Sequence, residues 1–202
     1  MRTTPEAILI LLFALAYLAG SVNFSILVFW ITGREDPRNS GSGNPGATNV
    51  YRHAGLRWAA AVLLLDMGRA FAVALMACAW LPIRQVPWVG FGLILGNRFP
   101  CFHGFRGGKG VANYLGFTLA LAPVWAVFSA LAWAGVQLIW RTPFLSSFAM
   151  VFFLVAATVH TVDGSGWGTT GSLVTALFIV ACHHRNMRER WGEKGAPPAD
   201  RC

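Results

Sequence analysis

Charged residues are scarce in this 202-residue chain, of which they make up only 12%. A soluble domain carries about a quarter, so the composition argues against a water-soluble fold. The abundance of hydrophobic residues excludes intrinsic disorder, because a chain with 55% of them, including 9 Trp and 15 Phe, does not stay solvated. The sequence therefore indicates a membrane protein.

Acidic residues are scarcer still, with 8 Asp and Glu against 16 Lys and Arg. The net charge of +8 does not indicate a nucleic-acid binder, because the chain is too apolar for one. Basic residues accumulate instead in the cytoplasmic loops of membrane proteins. We therefore expect a lipid bilayer, and no nucleic acid, around this chain.

Cysteine is also rare, and none of the 4 Cys belongs to a CxxC motif or to a Cys/His spacing typical of zinc ligands. Cys78 and Cys182 lie within apolar runs, where free cysteine is an ordinary buried residue. We predict neither a disulfide framework nor a metal site.

Long apolar runs predict an all-α, polytopic membrane fold, because a spanning helix needs about 20 apolar residues. Pro123 is expected to divide one run into two helices, since proline removes a helix hydrogen bond and clashes with the preceding turn. The prediction is about seven transmembrane helices from the runs Ala7–Ile31, Trp58–Trp80, Pro87–Gly96, Tyr114–Trp140, Phe144–Val159 and Gly171–Cys182.

Three polar segments separate or follow these runs: residues 33–57, 97–113 and 183–202. They hold 12 of the 16 basic residues, so the positive-inside rule places all three on the cytoplasmic face. Seven crossings then put the N-terminus outside and the C-terminus in the cytoplasm. The stretch Thr161–Thr170 is predicted to be an external loop. No repeat or linker divides the chain, so residues 1–202 are predicted to form a single domain.

The first polar segment contains the glycine-rich stretch Gly41–Arg52. Glycines let a backbone bend closely around a ligand with its amide N–H groups directed at it. Arg52 adds a planar, permanently charged fork that suits a phosphate. The alternative is an ordinary polar loop, although loops this long and glycine-rich are uncommon. Neutral hydrogen-bonding groups come from Ser42, Asn44, Thr48 and Asn49.

The second polar segment ends in a Gly-Gly-Lys-Gly run that leads into an apolar helix. It lacks the spacing of a Walker A loop. Glycine amides at a helix N-terminus nevertheless form an anion site, to which a lysine adds a mobile charge. Together with the first segment on the same membrane face, the run predicts a phosphate site made by Gly107, Gly108, Lys109 and Gly110.

His183 and Asn186 open the third polar segment. Three residues apart, they would face the same way on a helix. A histidine can orient a hydroxyl or accept its proton, and an asparagine can hold the partner oxygen, so these two are the candidate catalytic residues. The alternative is a basic helix end that anchors to lipid headgroups.

Asp66 and Arg69 lie three residues apart inside the apolar run Trp58–Trp80. Charges within a membrane are expensive and usually paired. We predict an internal ion pair that stabilises the helix bundle.

The three motifs together resemble the PlsY family of bacterial glycerol-3-phosphate acyltransferases. The resemblance extends from about Tyr17 to about Trp191, and Gly41–Arg52 is its most specific part. It implies a small seven-helix bundle in the bacterial inner membrane with a cytoplasmic active site, in agreement with the loop argument. It also implies that no cofactor is needed.

The reaction implied by this resemblance is attack of the sn-1 hydroxyl of glycerol 3-phosphate on the carbonyl of an acyl-phosphate. It yields lysophosphatidic acid and inorganic phosphate, the first acylation of phospholipid biosynthesis. His183 and Asn186 would position and polarise the reacting groups, with the proton passing either to His183 or to the departing phosphate. By position, the substrate and its phosphates would be bound by Ser42, Asn44, Asn49, Arg52, Gly107, Gly108, Lys109 and Gly110.

Several positions depart from the family pattern. Asn23 stands where proline is usual, Arg69 where lysine is usual, and Asn97 where a Gly-His pair is usual. The spacing after the third motif is shortened, so Glu193 has no certain counterpart. These departures bear on efficiency and C-terminal packing more than on the reaction type.

Two functions of other classes compete with the acyltransferase: a small-anion transporter and a non-catalytic lipid-binding membrane subunit. A transporter needs polar or broken segments near the bilayer midplane, whereas the polar residues here cluster at one surface. A lipid-binding subunit has no need of His183 and Asn186 beside two anion loops.

Overall fold

The structure, a computed structural model, describes residues 4–191 of the chain. Regular structure within this range is helical, without strands, which confirms the all-α fold class. The end of the predicted tail 183–202, including Glu193, lies outside the described residues. The helices are α1 (Pro5–Ser21), α2 (Phe24–Ile31), α3 (Ala47–Ala54), α4 (Leu56–Trp80), α5 (Val86–Arg98), α6 (Val111–Leu121), α7 (Pro123–Trp140), α8 (Pro143–Thr161), α9 (Gly166–Ala181) and α10 (His184–Trp191), with 3₁₀ turns at Ile83–Gln85 and Cys101–His103.

Four stretches among the described residues are long and apolar enough to cross a membrane: α1 together with α2, α4, α7 and α8. α6 and α9 are apolar but shorter. Large apolar side chains cover the outside of the bundle, where Leu64, Leu138 and Phe152 are each 66% exposed or more. Contact with lipid explains such a surface, which a soluble monomer rarely carries. The count of seven crossings and the orientation of the termini stay predictions.

The first apolar run is not one helix, contrary to the prediction for Ala7–Ile31. α1 and α2 are separated by Val22 and Asn23, both in an extended conformation. Asn23 Oδ1 accepts a hydrogen bond from the Ile26 N–H at 3.1 Å and so caps α2. The Val22 carbonyl freed at the break accepts a hydrogen bond from Arg69. The helix is therefore interrupted where side chains replace the missing backbone bonds.

Other helix boundaries confirm or correct the sequence predictions. Pro123 begins α7 directly after α6, so the predicted division of that run is confirmed. The loop predicted at Thr161–Thr170 is much shorter, because α8 continues to its first residue and α9 begins at Gly166 with Ser165 as its cap, which leaves residues 162–165 as the connection. Gly, Ser and Thr are frequent in membrane helices, where they permit close packing, and composition alone overstated the loop. The first polar segment likewise contains the helix α3.

Close contacts at glycines bring the polar ends of the helices together. A Cβ atom at Gly96 would lie 2.0 Å from the Tyr17 carbonyl oxygen, and one at Gly116 would lie 2.3 Å from that of Met67. α5 therefore packs against α1, and α6 against α4, at backbone contact distance. This packing fixes the end of α5 and the start of α6, which bound the second polar segment.

Candidate active site

The three polar segments meet around a cavity of about 620 Å³ at one end of the bundle. This volume lies within the range of small-molecule sites. All three segments line this cavity and therefore lie at the same end of the bundle. Their location on the cytoplasmic face stays a prediction. Nine of the ten predicted site residues line the cavity: Ser42, Asn44, Asn49, Arg52, Gly108, Lys109, Gly110, His183 and Asn186.

Asn49 organises the first segment. Its Nδ2 donates to the carbonyl oxygens of Pro37 at 2.9 Å and Ser40 at 3.1 Å, while its Oδ1 accepts from the Ser42 backbone N–H at 3.2 Å. The side chain is buried, and both amide hydrogens are used within the segment. Asn49 therefore sets the position of Ser42 at the cavity.

The amino end of α3 lines the cavity at residues 46–48. The N–H groups of a first helical turn have no acceptor within the helix, and they carry partial positive charge. Arg52, one turn further along α3, is exposed and lines the same cavity. This helix therefore presents amide and guanidinium donors together, as an anion requires.

Gly107, the tenth predicted residue, lies behind the cavity wall. A Cβ atom there would lie 2.0 Å from the Asn97 carbonyl oxygen, which accepts from the Gly108 N–H at 2.9 Å. The loop thus rests directly on the end of α5, which leaves no room for a side chain. Gly110 adopts a left-handed conformation, with φ of +84°, as the cap residue of α6. This turn brings the amino end of α6 to the cavity.

Lys109 joins the second segment to the third. Its Nζ donates a hydrogen bond to Asn186 Oδ1. Lys109 is half-buried and directly precedes Gly110, the cap residue of α6, so its charge adds to the partial positive charge of the helix N-terminus. Lys109 and the amino end of α6 therefore form a second candidate anion site in the same cavity as α3.

His183 lies in the turn between α9 and α10, not on a helix with Asn186 as predicted. Its N–H bonds to the carbonyl three residues back, which tightens the chain and ends α9. His183 and Asn186 nevertheless both line the cavity. His183 directly precedes α10, and its carbonyl oxygen accepts from the Met187 N–H at 3.1 Å, so it is held against the first turn that carries Asn186.

The imidazole of His183 is held neutral. His183 is 2% exposed, and its Nδ1 lies 2.8 Å from the Ile179 carbonyl oxygen. Because a carbonyl only accepts, Nδ1 carries the proton and Nε2 is an acceptor. Burial, and then the charge of Lys109, lowers the pKa of His183 to about 4. The site therefore contains a fixed hydrogen-bond acceptor at neutral pH.

The predicted ion pair between Asp66 and Arg69 is confirmed, at 2.7 Å. Arg69 also donates to Asn113 Oδ1 at 2.6 Å and to the Val22 carbonyl at the break in the first run. Asp66 and Asn113 line the cavity, a role that the sequence analysis did not assign to them. The network therefore connects the break, α4 and α6 to the cavity wall.

Helices α4, α7 and α8 supply an apolar wall that the sequence analysis missed. Its residues are of the same types as those that face lipid, so composition cannot separate the two. Gln137, a polar residue in the otherwise apolar end of α7, was the available signal; it lines the cavity and its Oε1 lies 3.1 Å from Ser146 Oγ. The wall is made by Ala59, Ala60, Leu63, Ala130, Trp133, Phe144 and Met150.

Fold and cavity together define a polytopic helical membrane protein in which a cavity of about 620 Å³ joins two candidate anion sites to an apolar wall. A family model described as glycerol-3-phosphate acyltransferase matches residues 10–192. The chain belongs to this family.

Relatives and solved structures cover nearly the whole chain. It is 41% identical over 184 residues to the glycerol-3-phosphate acyltransferase of Pseudomonas fluorescens, covering 89% of this chain and 94% of that one. Identity to the Pseudomonas aeruginosa enzyme of the same name is 40% over 185 residues, with the same coverage. A crystal structure of PlsY (YgiH), an integral membrane glycerol 3-phosphate acyltransferase in its glycerol 3-phosphate form, aligns with a TM-score of 0.83 and 34% identity, over 91% of this chain and 92% of that chain. The lysophosphatidic acid form aligns with a TM-score of 0.81 and 32% identity.

Proposed function

We propose that this protein transfers an acyl group from an acyl-phosphate to the sn-1 hydroxyl of glycerol 3-phosphate, which yields lysophosphatidic acid and inorganic phosphate. The observation that carries the proposal is the presence of two helix N-termini, each with its own cation, in one cavity that is apolar on its other side. Membership of the glycerol-3-phosphate acyltransferase family supports the acceptor and the reaction class.

Two anion sites match two phosphate-bearing substrates. Arg52 with the amino end of α3 would bind one phosphate, and Lys109 with the amino end of α6 the other. At an effective dielectric of about 20, one cation about 4 Å from a phosphate charge contributes roughly 4 kcal/mol before desolvation. Such contacts offset the repulsion between the two anions and hold them in a reactive orientation.

The apolar wall suits the acyl chain. Leu63 on α4, Leu115 on α6, Trp133 on α7 and Met150 on α8 line the cavity. Each CH₂ group withdrawn from water contributes about 0.8 kcal/mol, so a long chain placed along this wall retains the activated donor. The arrangement favours a lipid-soluble acyl donor whose phosphate points toward the polar end.

The chemistry requires no covalent intermediate, because an acyl-phosphate is already an activated mixed anhydride. The hydroxyl oxygen bonds to the carbonyl carbon, and the bond from that carbon to the phosphate oxygen breaks with its electron pair leaving on phosphate. The phosphate oxygen so released is far more basic than an imidazole whose pKa is about 4. We therefore assign the hydroxyl proton to the departing phosphate, and to His183 Nε2 the role of orienting the hydroxyl.

The transporter alternative is disfavoured because the backbone carbonyl freed at the break between α1 and α2 already has a hydrogen-bond donor within the protein. The Val22 carbonyl there is bonded to Arg69, whose charge is paired with Asp66. A transporter uses such freed backbone groups to bind its ion. The lipid-binding alternative leaves the Lys109–Asn186 contact and the neutral His183 without a purpose.

Purified protein given palmitoyl-phosphate, with and without glycerol 3-phosphate, tests the proposal. We expect inorganic phosphate and 1-palmitoyl-lysophosphatidic acid in equal amounts, and neither product without the acceptor. Palmitoyl-coenzyme A in place of the acyl-phosphate is the donor control and should give no product. Phosphate release that does not depend on glycerol 3-phosphate, or acylation at the sn-2 position, would contradict the proposal.

The active site is proposed to face the cytoplasm of the bacterial inner membrane, because the basic residues cluster in the segments that form it. Single cysteines introduced at the exposed positions Asn39 and Arg106, in a background without the native thiols, should react with a membrane-impermeant maleimide only when it reaches the cytoplasmic side. Labelling of either position in intact spheroplasts would place the segment outside.

A further inference from the structure

His103 lies where three parts of the chain meet, and it does not line the cavity. Its Nε2 accepts the Asn23 backbone N–H at 3.3 Å, from the break between α1 and α2. Its carbonyl oxygen accepts from an Arg38 guanidinium nitrogen at 2.6 Å, from the first polar segment. The residue itself belongs to the second polar segment, a few positions before Lys109. His103 therefore links the break to both loops that carry anion sites.

Asn23 extends this link to the α3 site. Its Nδ2 donates to the Pro45 carbonyl oxygen at 3.4 Å, and Pro45 directly precedes Gly46, the cap residue of α3. Asn23 is 3% exposed, so water does not compete for these bonds. A continuous series of contacts thus runs from the second loop through His103 and Asn23 to the amino end of α3.

The bond between His103 and Asn23 exists only while the imidazole is neutral. A backbone N–H can only donate, so Nε2 must be unprotonated, whereas both ring nitrogens of a histidinium donate. Burial, then the Arg38 charge, lowers the pKa of His103, and Asp36 acts in the opposite direction. Asp36 is itself paired with Arg38 at 2.6 Å. The break presents the uncharged Asn23, and Arg106 follows on the loop of His103.

We propose that His103 is a positioning residue that sets the separation of the two anion sites, and that its protonation uncouples them and lowers acyl transfer. The proposal rests on the proposed function, because the spacing matters only if two phosphates must be aligned for reaction. A displacement of about 1 Å between reacting groups can reduce a rate by about 100-fold. One neutral hydrogen bond favours the aligned arrangement over the displaced one by a factor of up to about ten.

Three variants test this role, each normalised to folded protein. His103→Leu removes the acceptor and should lower kcat roughly tenfold with little change in either KM. His103→Gln offers an amide oxygen in its place and should recover activity to within about threefold. Asn23→Ser keeps the N–H that reaches His103 and a side-chain oxygen that can cap α2, but it loses the amide donor to Pro45, so it should also lose roughly tenfold. His160→Leu, at an exposed position on α8, is the matched control and should equal the wild type.

The decisive readout is the ratio of wild-type to His103→Gln activity between pH 8 and pH 5. Ionisation of the substrates and of His183 affects both proteins equally and cancels. The ratio should be constant above pH 6.5 and fall in the acid part of this range, at a lower pH than for an ordinary histidine, since only the wild type can lose the acceptor. A constant ratio in an active wild type, or full activity of His103→Leu, would overturn the positioning role alone. Absence of lysophosphatidic acid from the wild type would instead overturn the proposed function, and the positioning role with it.

Discussion

The two candidate anion sites of the cavity each consist of a helix N-terminus with a nearby cation, but they differ in how firmly their groups are held. At the α6 site the loop rests on the backbone of α5, and Lys109 is half-buried and bonded to Asn186. At the α3 site, Arg52 is exposed on a helix of eight residues. The comparison teaches that one site is fixed by packing, whereas the other depends on side-chain hydrogen bonds such as those of Asn49.

This difference predicts that equal chemical changes have unequal effects. A perturbation of the α6 site must move backbone against backbone, which a close-packed interior resists. A perturbation of the α3 site can be absorbed by exposed or side-chain groups.

Matched alanine substitutions at the loop glycines should show the largest difference. Gly107→Ala places a Cβ atom 2.0 Å from the Asn97 carbonyl oxygen, so the loop carrying Lys109 must shift by about 1 Å and kcat/KM should fall by at least about 100-fold. Gly46→Ala places its Cβ 3.0 Å from a side-chain atom, Asn44 Nδ2, at φ of −143°, and should cost less than about fivefold. Steady-state acyl transfer by purified variants measures both. Equal losses would break the comparison.

Lys109→Ala should have the next largest effect. It removes one charge-assisted contact to a phosphate, worth about 1.5–3 kcal/mol, and kcat/KM should therefore fall roughly 10- to 150-fold. Lys109→Arg, which keeps the charge, is the matched control and should lose less. Wild-type activity of a correctly inserted Lys109→Ala protein would remove this residue from the site.

Arg52→Lys should have a smaller but diagnostic effect. A guanidinium can grip two phosphate oxygens at once, whereas an ammonium is a point charge. Loss of one of two such bonds predicts about a tenfold fall in kcat/KM at unchanged net charge. If Arg52 served only the positive-inside rule, lysine would replace it without effect. Near-wild-type turnover at limiting glycerol 3-phosphate would therefore contradict the clamp.

The smallest effect concerns the ionisation of His183. The folded protein lowers its pKa from the ordinary value of 6.5 to about 4, so the folded state favours the neutral ring. The stability that depends on this ring is complete above pH 6.5 and is lost as the pH falls through about 4. Ring-nitrogen NMR of labelled protein, with the signal assigned by its loss in His183→Asn, should show a neutral ring from pH 8 to pH 5. A midpoint near pH 6.5 would show that the ring is solvated.

The polar half of the candidate site could be predicted from the sequence because its residue types are suited to anions. A Gly-Gly-Lys-Gly run before a helix is a weak indication alone, but it gains weight beside the glycine-rich stretch Gly41–Arg52. The ion pair of Asp66 and Arg69 was also predictable, since charges in an apolar run require partners.

The apolar half of the site could not be located in this way. Trp133 and Met150 face the cavity, whereas Leu138 and Phe152 lie on exposed surfaces of the same helices. Only packing separates them. The break at Asn23 escaped prediction for a related reason, because it depends on Arg69, which is distant in sequence and supplies donors to the freed carbonyls.

The separation of the two anion sites is tested most directly by the KM of each substrate in Arg52→Lys and Lys109→Ala. Glycerol 3-phosphate and palmitoyl-phosphate are varied in turn at saturation of the other. The account predicts that one variant raises the KM of one substrate about tenfold, and that the second variant does so for the other substrate. If both variants raised the KM of the same substrate and left the other unchanged, the cavity would hold one phosphate rather than two.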